Sequence, residues 1–172
     1  EYGSAVFEGR LSLRPLPELL PEVQLSGLVV RGEGNTPDGP EWRVDALMAS
    51  WQRRRTVATL QATDSVGTQG GGWVDARGEA LPGRGWSAFL EVRQSPDAGW
   101  AAFGRYDRFD RDREHAGGEL RRSILGVARH FSRGSAVLLD VERLEAGGAD
   151  DSWRFQLTLQ SRLGPWRPAS RG

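Results

Sequence analysis

The sequence predicts an all-β protein, an antiparallel meander that forms a transmembrane β-barrel or the C-terminal part of a larger one. In nine stretches, apolar and polar residues alternate with the period of two that places successive side chains on opposite sides of a strand. Segments rich in Gly, Pro, Asn and Asp separate these stretches, as turns require. No stretch of ordinary helix length has the repeat of an amphipathic helix. We therefore expect about nine or ten strands over residues 1–163 and a C-terminal tail over 164–172.

The clearest strand lies near the C-terminus, from Trp153 to Leu163. Trp153, Phe155, Leu157 and Leu159 fall on one side of an extended chain, and arginine, glutamine and threonine side chains fall on the other. In a soluble sandwich such an apolar face packs on a second sheet. In an outer-membrane barrel it contacts lipid, and the polar face lines the lumen.

The other strands follow the same rule in chain order. Three prolines, Pro15, Pro17 and Pro21, end the first strand, because proline lacks the N–H that a ladder needs. Three consecutive arginines at 53–55 mark a tight connection between the third and fourth strands. The expected strands are 2–14, 23–31, 42–52, 56–63, 86–93, 100–110, 120–131, 137–142 and 153–163.

Alternation orients the third strand but leaves the seventh strand and residues 64–85 open. In the third strand, the alternation predicts an apolar side with Trp42 and Val44, continued by Ala46 and Met48, and a polar side with Arg43 and Asp45. In the seventh strand, Ile124 and Leu125 compete for the apolar face, so the alternation does not choose between them. Residues 64–85 form a long excursion, in which 73–80 could supply a tenth strand.

Composition excludes several classes of function. The 172 residues have a formal charge of zero, from 23 basic residues, all of them arginine, and 23 acidic ones, so no overall field favours nucleic acid. The absence of cysteine excludes disulfides, thiolate metal sites and a cysteine nucleophile. No apolar run approaches the roughly 20 residues of a transmembrane helix, but barrel strands need only ~9–11 alternating residues.

The lengths of the predicted connections favour lipid over a second sheet as the partner of the apolar face. Short connections at 95–99 and 132–134 alternate with longer ones at 110–118 and 146–151, as periplasmic turns alternate with external loops. Trp86, Trp100, Tyr106 and Trp153 lie near strand ends, where an interfacial girdle would place them.

If the apolar face contacts lipid, the charged residues opposite it face inward. They then either pair as a closed salt-bridge core or line an aqueous channel. The candidate lumen-lining residues are Arg10, Arg43, Asp45, Arg93, Arg105, Asp107, Asp140, Glu142 and Arg154.

The second half of the chain resembles the C-terminal strands of outer-membrane porins, with the phosphate-selective porin family as the nearest type. The resemblance rests on Gly-Trp-Ala-Ala-Phe-Gly-Arg-Tyr-Asp-Arg-Phe-Asp at 99–110, a Gly-centred strand at 123–131, a strand at 135–142 and the final strand at 153–163. It implies a channel in the outer membrane of a Gram-negative-type bacterium. The chain departs from the pattern at its end, because such barrels usually stop at an aromatic residue, whereas Leu163 is followed by nine more residues.

Other chemistry finds little support. His115 and His130 lie far apart in the sequence, and the acidic run from Asp107 to Glu114 lacks the glycine and the terminal glutamate of a calcium loop. No Gly-x-Ser-x-Gly elbow occurs. We therefore expect no enzyme, no cofactor and no metal.

The sequence predicts an outer-membrane porin-like channel for passive diffusion of small solutes or ions. The alternatives are a structural or interaction barrel with a filled lumen, and a soluble lipocalin-like binder of an apolar ligand. The expected partners are membrane lipid and small solutes or ions, with a homo-oligomer or a larger membrane complex as a further possibility and no nucleic acid. Nine strands do not match the even count of bacterial single-chain barrels, so we expect a part of a larger barrel with an exposed ladder edge at 2–14.

Overall fold

A computed structural model describes residues 6–33, 41–67, 73–95, 99–113, 117–132, 135–147 and 150–161. The predicted tail at 164–172 and His115 lie outside these ranges.

Nine strands form one antiparallel sheet, in which each strand pairs with the next one along the chain. The all-β antiparallel meander predicted from the sequence is confirmed. Of the possible tenth strand at 73–80, the described residues form a single bridge between Val74 and Ala80. The strands are β1 (Val6–Leu13), β2 (Val23–Gly32), β3 (Trp42–Arg53), β4 (Thr56–Val66), β5 (Pro82–Arg93), β6 (Gly99–Asp110), β7 (Glu119–Ser132), β8 (Ser135–Ala146) and β9 (Ser152–Ser161).

The connections differ in length between the two ends of the sheet. At one end, which we call the short-turn end, β3–β4, β5–β6 and β7–β8 are joined by 54–55, 94–98 and 133–134, although β1 and β2 are joined there by the longer 14–22. At the other end, the long-loop end, the connections are 33–41, 67–81, 111–118 and 147–151. The predicted alternation of short and long connections therefore extends over most of the sheet.

The register sorts the side chains into two faces, because residues directly opposite each other in an antiparallel pair lie on the same side. One row across the sheet joins Ser12, Ser26, Met48, Gln61, Ser87, Asp107 and Arg122, and it defines the polar face. The row on the opposite side joins Leu13, Leu25, Ala49, Leu60, Ala88 and Tyr106, and it defines the apolar face.

Burial is inverted relative to a soluble protein, in which large apolar side chains fill the interior. The exposed large apolar side chains of the strands lie on the apolar face, except for Val6 and for Phe131 beside a register shift. The buried side chains all lie on the polar face: Ser26, Trp42, Ala46, Ser65, Ala101, Ala128, Ala136 and Glu142. Since the described residues form a single sheet, we attribute this shielding to curvature of the sheet toward its polar face.

The orientation predicted for the third strand is wrong. Trp42, Val44, Ala46 and Met48 lie on the polar face, since Ala46 is opposite Leu28, which is opposite Arg10. The apolar face of β3 is made instead by Leu47, Ala49 and Trp51. The local pattern misleads because the ring of Trp42 packs against Gly32 on the polar face. A Cβ at Gly32 would lie only 2.6 Å from the Cε2 atom of that ring.

A close approach on the polar face predicts a strong effect of one glycine. A Cβ at Gly126 would lie 2.8 Å from the Cε1 atom of the Phe103 ring and 2.8 Å from Cβ of Asp140. Such overpacking typically costs about 1–3 kcal/mol, so we expect Gly126→Ala to lower the free energy of unfolding in chemical denaturation by that amount.

Gly27→Ala is the matched control on the apolar face. There a Cβ would meet its nearest neighbour, Leu47, at 3.9 Å, which is an ordinary contact. Restricting the unfolded chain at such a site stabilises by about 0.4–1 kcal/mol, so the control should be neutral or stabilising. Equal losses for the two variants would contradict the close packing around Gly126.

Candidate functional site

Seven of the nine predicted lumen-lining residues share the polar face. Arg105, for example, is opposite both Phe89 and Ile124, and Ile124 is opposite Glu142, which is opposite Arg154. The seven are Arg10, Arg93, Arg105, Asp107, Asp140, Glu142 and Arg154.

Arg43 and Asp45 are the exceptions, and their predicted position is wrong. They lie on the apolar face at the long-loop end, where Asp45 accepts an ion-pair contact of 2.8 Å from Arg31 and stands opposite Asp64. Two like charges in direct opposition are unfavourable. The repulsion is offset by Arg31 on Asp45 and by two guanidinium groups on Asp64, from Arg84 at 3.5 Å and Arg113 at 3.1 Å.

These residues belong to a band of charged side chains, most of them in ion pairs, that ends the apolar face. Glu119 contacts both Arg108, at 2.9 Å, and Arg121, and Arg143 contacts Glu145 at 3.0 Å and Asp151 at 2.6 Å. We call this band the charged rim; its strand residues are Arg31, Arg43, Asp45, Asp64, Arg84, Arg108, Glu119, Arg121, Arg143 and Glu145. Toward the long-loop end of the sheet, the side chains of the apolar face therefore change from apolar to charged.

The most connected group on the polar face is a carboxylate held by two guanidinium groups. Arg105 donates from Nε to Oδ1 of Asp107 at 2.8 Å, and Arg122 donates from Nε to Oδ2 at 2.8 Å. The side chain of Asp107 is 17% exposed, against 43% for Arg105. Arg122 is absent from the sequence-based candidates because the faces of β7 could not be assigned.

Two further ion pairs lie on the same face. Arg154 donates from Nη2 to Oε2 of Glu142 at 2.6 Å, and Glu142 is the more buried partner. Arg93 pairs with Glu91 two residues before it along β5. Charged pairs thus follow one another across β5 to β9.

The polar face of β2, β3 and β4 has a different chemistry. Over their described lengths these strands place only neutral side chains there. Ser12 of β1 and Ser26 share a hydrogen bond of 2.8 Å, Gln24 donates to Ser26 at 3.3 Å, and Gln61 donates to Thr63 at 3.2 Å. The polar face is therefore divided into a neutral half on β2–β4 and an ion-paired half on β5–β9.

Aromatic side chains interrupt the polar face. The rings of Phe89 and Phe103 lie 6.4 Å apart, and Phe103 covers Gly126. Phe109 covers Gly83 in the same way, with a hypothetical Cβ 2.8 Å from its ring. Part of the polar face is therefore packed by aromatic rings and is not in contact with water.

Other chemistry finds little support among the described residues. No group of three His, Asp or Glu side chains lies close enough together to hold a metal ion there. The Oγ atom of Ser65 and the Nε2 atom of His130 are buried, and no described residue forms a hydrogen bond with either.

Comparison of the chain with protein-family models, with curated proteins and with solved structures found no match. Within the described ranges, no helix is long and apolar enough to cross a membrane.

The shared carboxylate generates a prediction about stability. Asp107→Asn keeps the shape of the side chain but leaves Arg105 and Arg122 without their common counter-charge. Removing one partner of a partly buried charged group costs about 1–3 kcal/mol, and we expect a loss in that range in the free energy of unfolding.

Asp151→Asn is the control, since Arg143 keeps Glu145 at 3.0 Å and the contact is more exposed. An exposed ion pair contributes about 0–1 kcal/mol, so the control should stay near the wild type. Asp107→Asn would overturn the assignment if it were as mild as this control.

Proposed function

We propose that this sheet is the wall of a β-barrel in a bacterial outer membrane and that the barrel is a porin-like channel for passive diffusion of small solutes or ions. The supporting observation is the inverted burial: Leu47, Leu125 and Leu157 are 72%, 66% and 65% exposed, while Ala128 on the polar face is 1% exposed. Contiguous exposed apolar surface of this extent marks a face that meets lipid or protein. The resemblance of the second half of the chain to outer-membrane porins favours lipid.

The dimensions of the strands agree with a membrane wall. A strand of ~9–11 residues crosses the hydrocarbon core at a tilt of about 45°, and β3, β5, β6 and β8 have 12 residues each. The charged rim lies where such a wall would leave the hydrocarbon. At the short-turn end, Arg129 lies 5.4 Å from the centre of the Trp100 ring, an aromatic and cationic pair suited to a membrane interface.

Curvature argues against the soluble lipocalin-like alternative. A soluble barrel that binds an apolar ligand needs its apolar face inside, where it excludes water. Here the buried side chains belong to the polar face, and the leucines of the apolar face, such as Leu47, Leu125 and Leu157, are exposed. Water would therefore contact the whole apolar face, at a cost of about 25 cal/mol for each Å² that lipid would otherwise cover.

The unpaired edges support a larger barrel. Among the described residues, β1 pairs only with β2, β9 pairs only with β8, and no ladder joins β1 to β9. In a meander of nine antiparallel strands the first and last run in the same direction, so antiparallel closure requires an odd number of further strands. Unpaired backbone groups are not tolerated in hydrocarbon, and both edges must therefore be covered in the membrane.

A barrel with a filled lumen is the second candidate, and the ion pairs favour it. Asp107 and Glu142 are already satisfied by arginine, and a lumen closed by such pairs would not conduct. The channel is preferred because, over their described lengths, β2–β4 place only uncharged side chains on this face, so ion pairs do not close the lumen there.

The first functional prediction separates lipid from water as the medium of the apolar face. Leu157 lies on that face opposite Leu139, and its neighbour Gln156 lies on the polar face opposite Asp140. An arginine near the middle of the bilayer costs about 2–4 kcal/mol. We expect Leu157→Arg to lower the folded fraction in a denaturant titration in lipid vesicles, whereas Gln156→Arg should be tolerated.

The comparison uses adjacent residues of one strand, so strand propensity and edge position are matched. Leu157 is 65% exposed, and in water an arginine there would be harmless. If the two variants were equally mild in lipid, the membrane assignment would be lost.

The second functional prediction concerns the lumen. Arg105 and Arg154 lie on the polar face, and charged side chains along a pore set the field that an ion crosses. The double variant Arg105→Gln, Arg154→Gln should shift the reversal potential in planar bilayers toward cation selectivity. The control Arg121→Gln, Arg143→Gln removes the same charge from the charged rim and should have the smaller effect. An unchanged reversal potential in a conducting double variant would favour a lumen in which these arginines do not meet the ion.

A further inference from the structure

The loop between β4 and β5 is anchored at its base and hydrogen-bonded within itself. Gly67 donates its N–H to the carbonyl of Leu81 at 2.9 Å, and Leu81 donates to the carbonyl of Trp73 at 2.8 Å. Asp75 accepts two backbone hydrogen bonds on its Oδ1 atom, from Arg77 at 2.8 Å and from Glu79 at 2.9 Å. Residues 73–81 are therefore a defined unit that holds Trp73 in one place.

That place is the polar face at the long-loop end. The ring of Trp73 lies 4.8 Å from the ring of Phe109, with 32° between their planes. Phe109 is on the polar face, since it is opposite Gly85, which is opposite Thr63. The loop thus sends its aromatic side chain over the inner, polar surface of the sheet rather than outward toward the charged rim.

The backbone is strained at this residue. Trp73 has φ 61°, a left-handed conformation that is rare for a bulky side chain. Such outliers cost of order 1–3 kcal/mol and persist where the surroundings require them, often at functional positions. Of the described residues other than glycine, only Arg54 shares this feature, and it lies in the tight turn 54–55, which accounts for it.

The strands beneath are shaped to receive the rings. A Cβ at Gly83 would lie 2.8 Å from the ring of Phe109 and 2.9 Å from Oγ of Ser65, so only glycine allows Phe109 to lie flat there. Arg113 fixes the neighbouring loop, because its N–H donates to the carbonyl of Pro82 at 3.1 Å. Glycine, phenylalanine and tryptophan are therefore stacked in three layers from the wall inward.

We infer that Trp73, stacked on Phe109, narrows the long-loop mouth of the lumen and limits the size of the solutes that pass. The inference rests on the proposed channel. Gly83 and Gly85 of β5 have no side chains that could project into the lumen at this level. The ring of Trp73, lying over that of Phe109, therefore reduces the open cross-section of the lumen there.

The test is single-channel conductance and polymer exclusion in planar bilayers, with uncharged polyethylene glycols of graded size as probes. Trp73→Asn removes the ring and suits the left-handed backbone, so the loop keeps its conformation. We expect its conductance to rise and its exclusion limit to move to larger polymers. Trp73→Ala, which lacks that backbone preference, should change both in the same direction.

Trp153→Ala is the control, because Trp153 lies on the apolar face and is 62% exposed. It should leave conductance and exclusion limit at the wild-type values. A wild-type protein that does not conduct would refute the proposed channel. A conducting wild type whose Trp73 variants have the same conductance and the same exclusion limit would refute the role of Trp73 alone.

Discussion

Cross-strand register is the constraint on which the rest of the structure depends. Every strand has one side on the polar face and one on the apolar face, and a slip of one residue in any ladder would exchange the sides of all the strands beyond it. The eight ladders keep Arg10 of β1 and Arg154 of β9 on one face, across the whole sheet. With a single layer of strands, no second sheet corrects an error, so the segregation of the two faces depends on pairing alone.

The register shift between β7 and β8 shows how much one residue decides. Ser132 is opposite Ser135, but His130 is opposite Ala136, so one residue of β7 is unpaired. Without this shift Arg122 would stand opposite Glu145 instead of Leu144, and the faces of β8 and β9 would be exchanged, so that Glu142 and Arg154 would lie on the apolar face. With it, Glu142 and Arg154 pair on the polar face, and Leu139 and Leu157 lie on the apolar face. A β-bulge therefore places this ion pair on the polar face and continues the apolar surface across β8 and β9.

The register between strands also explains how much of the fold could be predicted from the sequence. Strand number, strand order and the faces of β5, β6, β8 and β9 follow from alternation. The orientation of β7 does not, because Ile124 and Leu125 are equally apolar and only the register with β6, which pairs Ile124 with Arg105, decides between them. The third strand was misassigned because Trp42 packs against Gly32 of β2 on the polar face. That contact is tertiary, and the alternation within β3 does not reveal it. Arg43 and Asp45 followed that error, and Trp73 lay in a loop without a usable pattern.

Stability and function have a common physical requirement in such a sheet. A soluble domain is held together mainly by apolar burial, yet here the buried apolar residues among the described strands are one tryptophan and four alanines. Ion pairs on the polar face do not replace that term, because partly exposed pairs contribute only about 0–1 kcal/mol each. The missing contribution must come from whatever covers the leucines, while the polar face must remain hydrated or paired. A medium that is apolar outside and aqueous inside satisfies both faces at once, and this is why the inverted burial supports a membrane channel more strongly than any single residue does.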